Sequence, residues 1–120
     1  MHELSVAQGI LDLVQHYVPE GQAPDVRAVT VRVGALSGIV ADSLEFCFSA
    51  IVAGTPYSRA RLAIDRVPTR AACRRCSREF DVDRLVFRCP HCDGTDIRLV
   101  SGDDLQVASI ELADAEPGTI

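Results

Sequence analysis

Apolar and polar positions alternate along the chain with two distinct periods. Leu4, Ala7, Ile10, Leu11, Val14, Tyr17 and Val18 recur at spacings of three and four, which predicts an amphipathic helix over residues 4–18. Pro19, Gly21 and Pro24 end it. VRAVTVRVG then places Val29, Val31 and Val33 on one face and Thr30 and Arg32 on the other, a strand. In SGIVADSLEFCFSAIVAGT, Asp42 or Ser43 reads as an N-cap, with Glu45 in the first turn. Leu44, Phe48, Ile51 and Val52 form the buried stripe of this second helix, and Gly54 is its stop.

RLAIDRV is a second strand, in which Leu62 and Ile64 alternate before Pro68. Between Thr69 and Gly102 the pattern shifts to Arg, Cys and Asp with few aliphatic residues. LQVASIEL restores a strand, with a change of phase between Val107 and Ile110 that predicts a bulge. The tail DAEPGTI reads as frayed.

The last strand needs partners, and the sheet available to it is built from residues 26–67. The expected fold is therefore α+β: a small three-stranded sheet with two helices, plus an inserted zinc-ribbon module. Residues 1–68 and 103–120 form a discontinuous α/β domain, and residues 69–102 form the module.

Composition narrows the function. With 120 residues, 48% hydrophobic and 24% charged, the chain has the size and balance of one ordinary folded domain. Its net charge of −5 argues against broad attraction to nucleic acid or an anionic membrane. No apolar run approaches the ~18 residues needed to span a bilayer, and the start lacks a signal-peptide pattern. Four of the five cysteines form Cys-x-x-Cys pairs, which reads as metal binding in a reducing compartment, so the cytoplasm is expected.

Those pairs are Cys73-Arg-Arg-Cys76 and Cys89-Pro-His-Cys92. Each can place two thiolates on one knuckle, and a hairpin in SREFDVDRLVFR, with Phe80, Val82, Leu85 and Phe87 as its apolar residues, would bring all four around one ion. Four thiolates in a tetrahedron select Zn²⁺. So short a stretch cannot bury a sufficient core alone, and a metal staple is physically expected. With every position filled by sulfur, no site is left for water or substrate, which makes the ion structural rather than catalytic.

Residues 69–102 carry seven arginines against five acidic residues, a net of +2, and four thiolates on Zn²⁺ contribute about −2. No basic stripe for nucleic acid results. Arg74 and Arg75 read as a solvated knuckle, and His91 as a bystander inside the second one. Cys47, between Phe46 and Phe48, reads as a small buried hydrophobe, and His16 as a surface residue. No catalytic constellation or phosphate loop stands out.

The first five residues are MHELS. His2 is too large for the initiator to be removed, so Met1 would offer a terminal amine beside the amides of His2 and Glu3 and the His2 imidazole. Four nitrogens in a plane suit Ni²⁺ or Cu²⁺ better than Zn²⁺, and two deprotonated amides would neutralise the ion. Glu3 could accept a hydrogen bond or complement the helix dipole. A harmless terminal histidine is the competing reading.

MHELS at the terminus, VGALSGIVADSLEFCF in the middle, Gly54-Thr55, and CRRC…CPHC followed by GDDLQVASIEL are together similar to the hydrogenase maturation nickel metallochaperones, the HypA/HybF family. The resemblance runs over about residues 1–112. It implies a nickel-binding α/β domain with a zinc ribbon, Ni²⁺ held through Met1, His2 and Glu3, and structural Zn²⁺ on Cys73, Cys76, Cys89 and Cys92. It further implies work with a maturation GTPase and delivery to the large subunit of [NiFe] hydrogenase, and some members also serve urease. Ala41 stands where many members have proline, and Ser49 replaces a frequent acidic residue.

The expected function is therefore that of a non-enzymatic nickel carrier. It has no nucleic-acid or membrane partner, and a homodimer is an allowed assembly. The rival is a zinc-ribbon adaptor for nucleic acid or protein with an inert N-terminus. A redox dithiol enzyme is the third reading.

Overall fold

The structure is a computed structural model and describes residues 3–113. Met1, His2 and the tail from Asp114 onward lie outside the described residues. Helix α1 runs over Glu3–Tyr17 and buries Val6, Ala7, Ile10, Leu11 and Val14. Leu4 and Tyr17, expected in that stripe, are instead exposed at the two ends of the helix. Val6 takes an inward place that the three–four spacing from Leu4 had missed.

A short 3₁₀ turn, Glu20–Asp25, follows Pro19 and leads into strand β1, Val26–Gly34. Val29, Val31 and Val33 are buried, as their alternation predicts. Helix α2, Ala41–Val52, buries Leu44, Phe48 and Val52 and packs against α1. Its N-cap is Val40 rather than Asp42 or Ser43, and no side chain caps the helix from that position. The carboxylate of Glu3 accepts a hydrogen bond from the Val40 amide at 3.3 Å. A residue at the start of α1 therefore ties down the chain entering α2.

Beyond α2, Gly54 takes a left-handed backbone with φ +78°, the expected stop. Tyr57 is buried and its hydroxyl donates to the Val18 carbonyl at 2.7 Å, fastening the end of α1. Phe48 is fully buried, so Phe48→Ala should lower stability by about 3–5 kcal/mol. Urea unfolding followed by far-UV circular dichroism measures this, and a loss below about 1 kcal/mol would contradict this packing.

Strands β2 (Arg61–Val67) and β6 (Leu105–Leu112) flank β1 in the order β2-β1-β6. A second sheet, of order β4-β3-β5, is formed by β3 (Arg70–Cys73), β4 (Glu79–Asp81) and β5 (Ile97–Ser101). Both of its pairings are antiparallel, with Ala71 opposite Phe80 on one side and Leu99 on the other. The fold class is thus mixed α+β with small sheets, few helices and a four-cysteine cluster.

The chain divides into two compact units. One comprises the chain up to Val31, Ile39–Ile64 and Val107 onward, and the other Arg32–Gly38 and Asp65–Gln106. The stretch 69–102 lies within the second unit, which also takes in the turn after β1.

Candidate metal centre

The two Cys-x-x-Cys segments fold into knuckles with the same hydrogen bonds. The Cys73 amide donates to the Arg78 carbonyl and the Ser77 amide to the Cys73 carbonyl. Sixteen positions on, the Cys89 amide donates to Gly94 and the Asp93 amide to Cys89. Ser77 and Asp93 are the matching residues that turn left-handed, at φ 65° and 64°. Each knuckle thus folds back on its first cysteine and brings the second sulfur beside it.

All four Sγ atoms lie within 4.8 Å of one another. Cys73 and Cys92 are 3.5 Å apart, as are Cys76 and Cys89. A tetrahedron with Zn–S near 2.3 Å has edges of about 3.8 Å, so the spacing fits that ion. Cys73 and Cys89 are almost wholly buried while Cys76 and Cys92 are half-buried. None of the four is in a disulfide.

The backbone supplies part of the electrostatics. The Cys76 amide, and after it that of Arg75, lowers the Cys73 thiol below its ordinary value against the opposing effect of burial. In the second knuckle burial raises the Cys89 thiol, but the Cys92 and His91 amides bring it down to about 7. The His91 amide lies 3.4 Å from the Cys89 sulfur. Cys92 is pushed up to about 12: the Gly94 amide lowers it, but the crowding sulfurs of Cys73, Cys89 and Cys76, together with burial, outweigh that effect. Four thiolates so close cannot coexist without a cation between them, which is the charge a bound metal ion would supply.

The hairpin expected within residues 77–88 does not form. Only Glu79–Asp81 is extended, and it pairs with β3, whose other edge is filled by β5. Arg84 and Leu85 both turn left-handed, which breaks the alternation and leaves Leu85 and Phe87 exposed. Phe80 is buried with Ala71, Cys73 and Cys89, and Val82 packs against them.

His91 is exposed, and its Nδ1 lies 3.1 Å from the Arg78 guanidinium rather than among the sulfurs. Arg74 pairs with Asp96 at 3.4 Å and Arg88 with Asp93 at 3.6 Å, all exposed, which suits solvated knuckles and contributes little stability. Sequence reasoning missed Gly94. A Cβ there would meet the Cys92 sulfur at 3.2 Å and the Cys73 sulfur at 3.6 Å. A glycine two residues past a Cys-x-x-Cys pair was the available signal. Among the nickel residues expected at the terminus, Glu3 is described, as the partner of Val40. Met1 and His2 lie outside the described residues.

A small α+β chain with a closed four-sulfur centre is a metal-binding protein, and nothing in that centre is open to a substrate. A family described as "Hydrogenase/urease nickel incorporation, metallochaperone, hypA" matches residues 1–112. The chain belongs to this HypA family, whose members are metallochaperones and not enzymes. The hydrogenase maturation factor HypA of Geobacter sulfurreducens is 40% identical over 112 residues, 93% of this chain and 99% of that protein. The Streptomyces avermitilis protein of the same name is 42% identical over 116 residues, 95% of this chain and 88% of that one. The solution structure of the Ni metallochaperone HypA from Helicobacter pylori superposes with a TM-score of 0.65 at 22% identity, covering 96% of this chain and all of that one. At that identity the likeness speaks to the fold.

Proposed function

We propose that this protein is a nickel carrier that binds one Ni²⁺ through Met1, His2 and Glu3 and passes it on for the maturation of [NiFe] hydrogenase. The observation that carries this reading is that the family match begins at residue 1 and so includes the Met-His-Glu segment itself. The terminal amine, the amides of His2 and Glu3 and the His2 imidazole offer four nitrogens at fused-ring spacing, a set suited to square-planar Ni²⁺. The hydrogen bond from Val40 to the Glu3 carboxylate supports it from the other side, because it anchors the residue at which the chelating segment joins α1.

Transfer needs binding that is neither irreversible nor negligible, near micromolar, or about −8 kcal/mol. Cu²⁺ binds such a donor set more tightly, so selectivity comes from availability and from the partners. Those partners are a maturation GTPase and the hydrogenase large subunit, in the cytoplasm. Urease is a second candidate recipient and a homodimer a candidate assembly. Zn²⁺ is the resident ion of Cys73, Cys76, Cys89 and Cys92, and holds residues 69–102 as a ribbon inserted into the nickel-binding part, residues 1–68 and 103–120. Among the described residues no helix is long and apolar enough to cross a membrane.

The test is a Ni²⁺ titration of untagged, zinc-loaded protein beside His2→Ala and a variant with one extra N-terminal residue. The native chain should take up one equivalent near micromolar affinity, and both variants should lose at least about tenfold. Equal binding by all three would move the nickel site away from the terminus.

A further inference from the structure

On a chain of net charge −5, one face has the opposite sign. A cleft of about 730 Å³ is lined by Arg27 at the start of β1, Arg59 and Arg61 before and at the start of β2, and Glu45, Ser49 and Val52 along α2. Three guanidiniums against one carboxylate leave it at about +2. Arg27 is held in place because it donates to the Pro24 carbonyl. Among the described residues neither Arg59 nor Arg61 has an ion-pair partner, and both are exposed. Val52, Ala60 and the half-buried Leu62 form the apolar lining, and the hydroxyls of Ser49 and Ser58 add hydrogen-bonding groups.

We infer that this cleft binds an acidic segment of a partner protein, with spaced carboxylates on Arg27, Arg59 and Arg61 and apolar side chains over Val52 and Leu62. The guanidinium fork matches a carboxylate in two parallel hydrogen bonds. A compact phosphate is the poorer occupant for two reasons. The helix reaches the cleft from Glu45 to its C-terminal residue Val52, the end whose dipole opposes concentrated negative charge, and Glu45 adds a repelling carboxylate at the wall. A phosphate site draws instead on a helix N-terminus or a glycine-rich loop, and the lining residues include no glycine. A chain with single charges separated by apolar or hydroxyl residues places each carboxylate on an arginine and keeps clear of Glu45.

The experiment uses full-length, zinc-loaded protein and a short fluorescein-labelled peptide in which glutamates alternate with leucine and serine, read by fluorescence anisotropy at low and moderate salt. The Arg59→Gln/Arg61→Gln variant removes two charges from the cleft. The Arg84→Gln/Arg98→Gln variant removes two exposed charges elsewhere. Zinc content and circular dichroism establish that both are folded. Binding by the wild type, weakened about tenfold or more in the cleft variant and within about twofold in the control, is the expected result. No binding by the wild type, equal binding by the cleft variant, or equal losses in both variants would overturn the inference. So would displacement of the peptide by pyrophosphate at concentrations well below those of unlabelled peptide, which would make the cleft a phosphate site.

Discussion

Cys89→Ser is expected to empty the four-sulfur centre and unfold the sheet around it. One buried cluster beside that centre consists of Ala71, Cys73, Phe80 and Cys89, with Cys76, Val82, Cys92 and Ile97 packed partly against it. Two of its four buried members, Cys73 and Cys89, are proposed ligands, so this cluster and the proposed metal site are nearly the same object. The remaining large apolar residues nearby, Leu85, Val86 and Phe87, are exposed and contribute little burial. A structural zinc in such a module supplies roughly 10–16 kcal/mol of apparent binding energy, more than a few buried side chains can replace. Serine keeps the shape but not the soft thiolate that the ion selects.

The measurements are zinc content by a chromogenic chelator and amide dispersion by NMR. Zinc should fall from one equivalent to near none. Resonances of residues 70–101 should collapse while those of α1 and α2 stay dispersed. A variant that retained a full equivalent and a dispersed ribbon would show that three cysteines suffice and that the structural role assigned to Cys89 is wrong.

Gly34→Ala is expected to cost stability on a scale unusual for one methyl group, about 4 kcal/mol or more. A Cβ at Gly34 would stand 2.0 Å from the Gly102 carbonyl oxygen and 2.7 Å from the Asp104 amide nitrogen. Both are backbone atoms that cannot rotate away. The same backbones are bonded to one another: the Gly34 amide donates to Asp104 and the Leu36 amide to Gly102, each at 2.7 Å. Relieving the clash therefore breaks the bonds that close the end of β1 against the chain leading into β6. Gly102 cannot yield either, since its own φ is +120° and it lies close against Thr69.

The control is Gly9→Ala on the exposed side of α1, where nothing lies within 4 Å of the added methyl. That change should stabilise by about 0.5–1 kcal/mol through helix propensity. Urea midpoints of the two variants should move in opposite directions. A Gly34→Ala protein as stable as the wild type would contradict the backbone approach at this turn.

Several features were written in local pattern. The alternation of Val29, Val31 and Val33 and the spacing of Leu44, Phe48 and Val52 each follow from one element presenting one face to a core. The Cys-x-x-Cys pairs announced a tetrahedral sulfur site because a knuckle is itself a local structure. The resemblance to the HypA family was legible for the same reason, since its motifs are short and ordered along the chain.

Tertiary structure decided the rest. Glu3, not Asp42 or Ser43, serves the entry to α2, because the hydrogen bond joins residues 37 positions apart and no local rule connects them. β3 finds its partners in β4 and β5 because pairing depends on which edges are free, and the left-handed residues at 84 and 85 remove the local alternative. Nothing in the local pattern singles out Gly34 or Gly102, and only their approach in space makes them irreplaceable. Arg27, Arg59 and Arg61 are likewise scattered charges in the sequence. They become one cleft only where α2 and the strand starts meet. Local periodicity and ligand spacing are properties of a few consecutive bonds, whereas caps, edges and clefts depend on distances that the chain acquires only when it closes on itself.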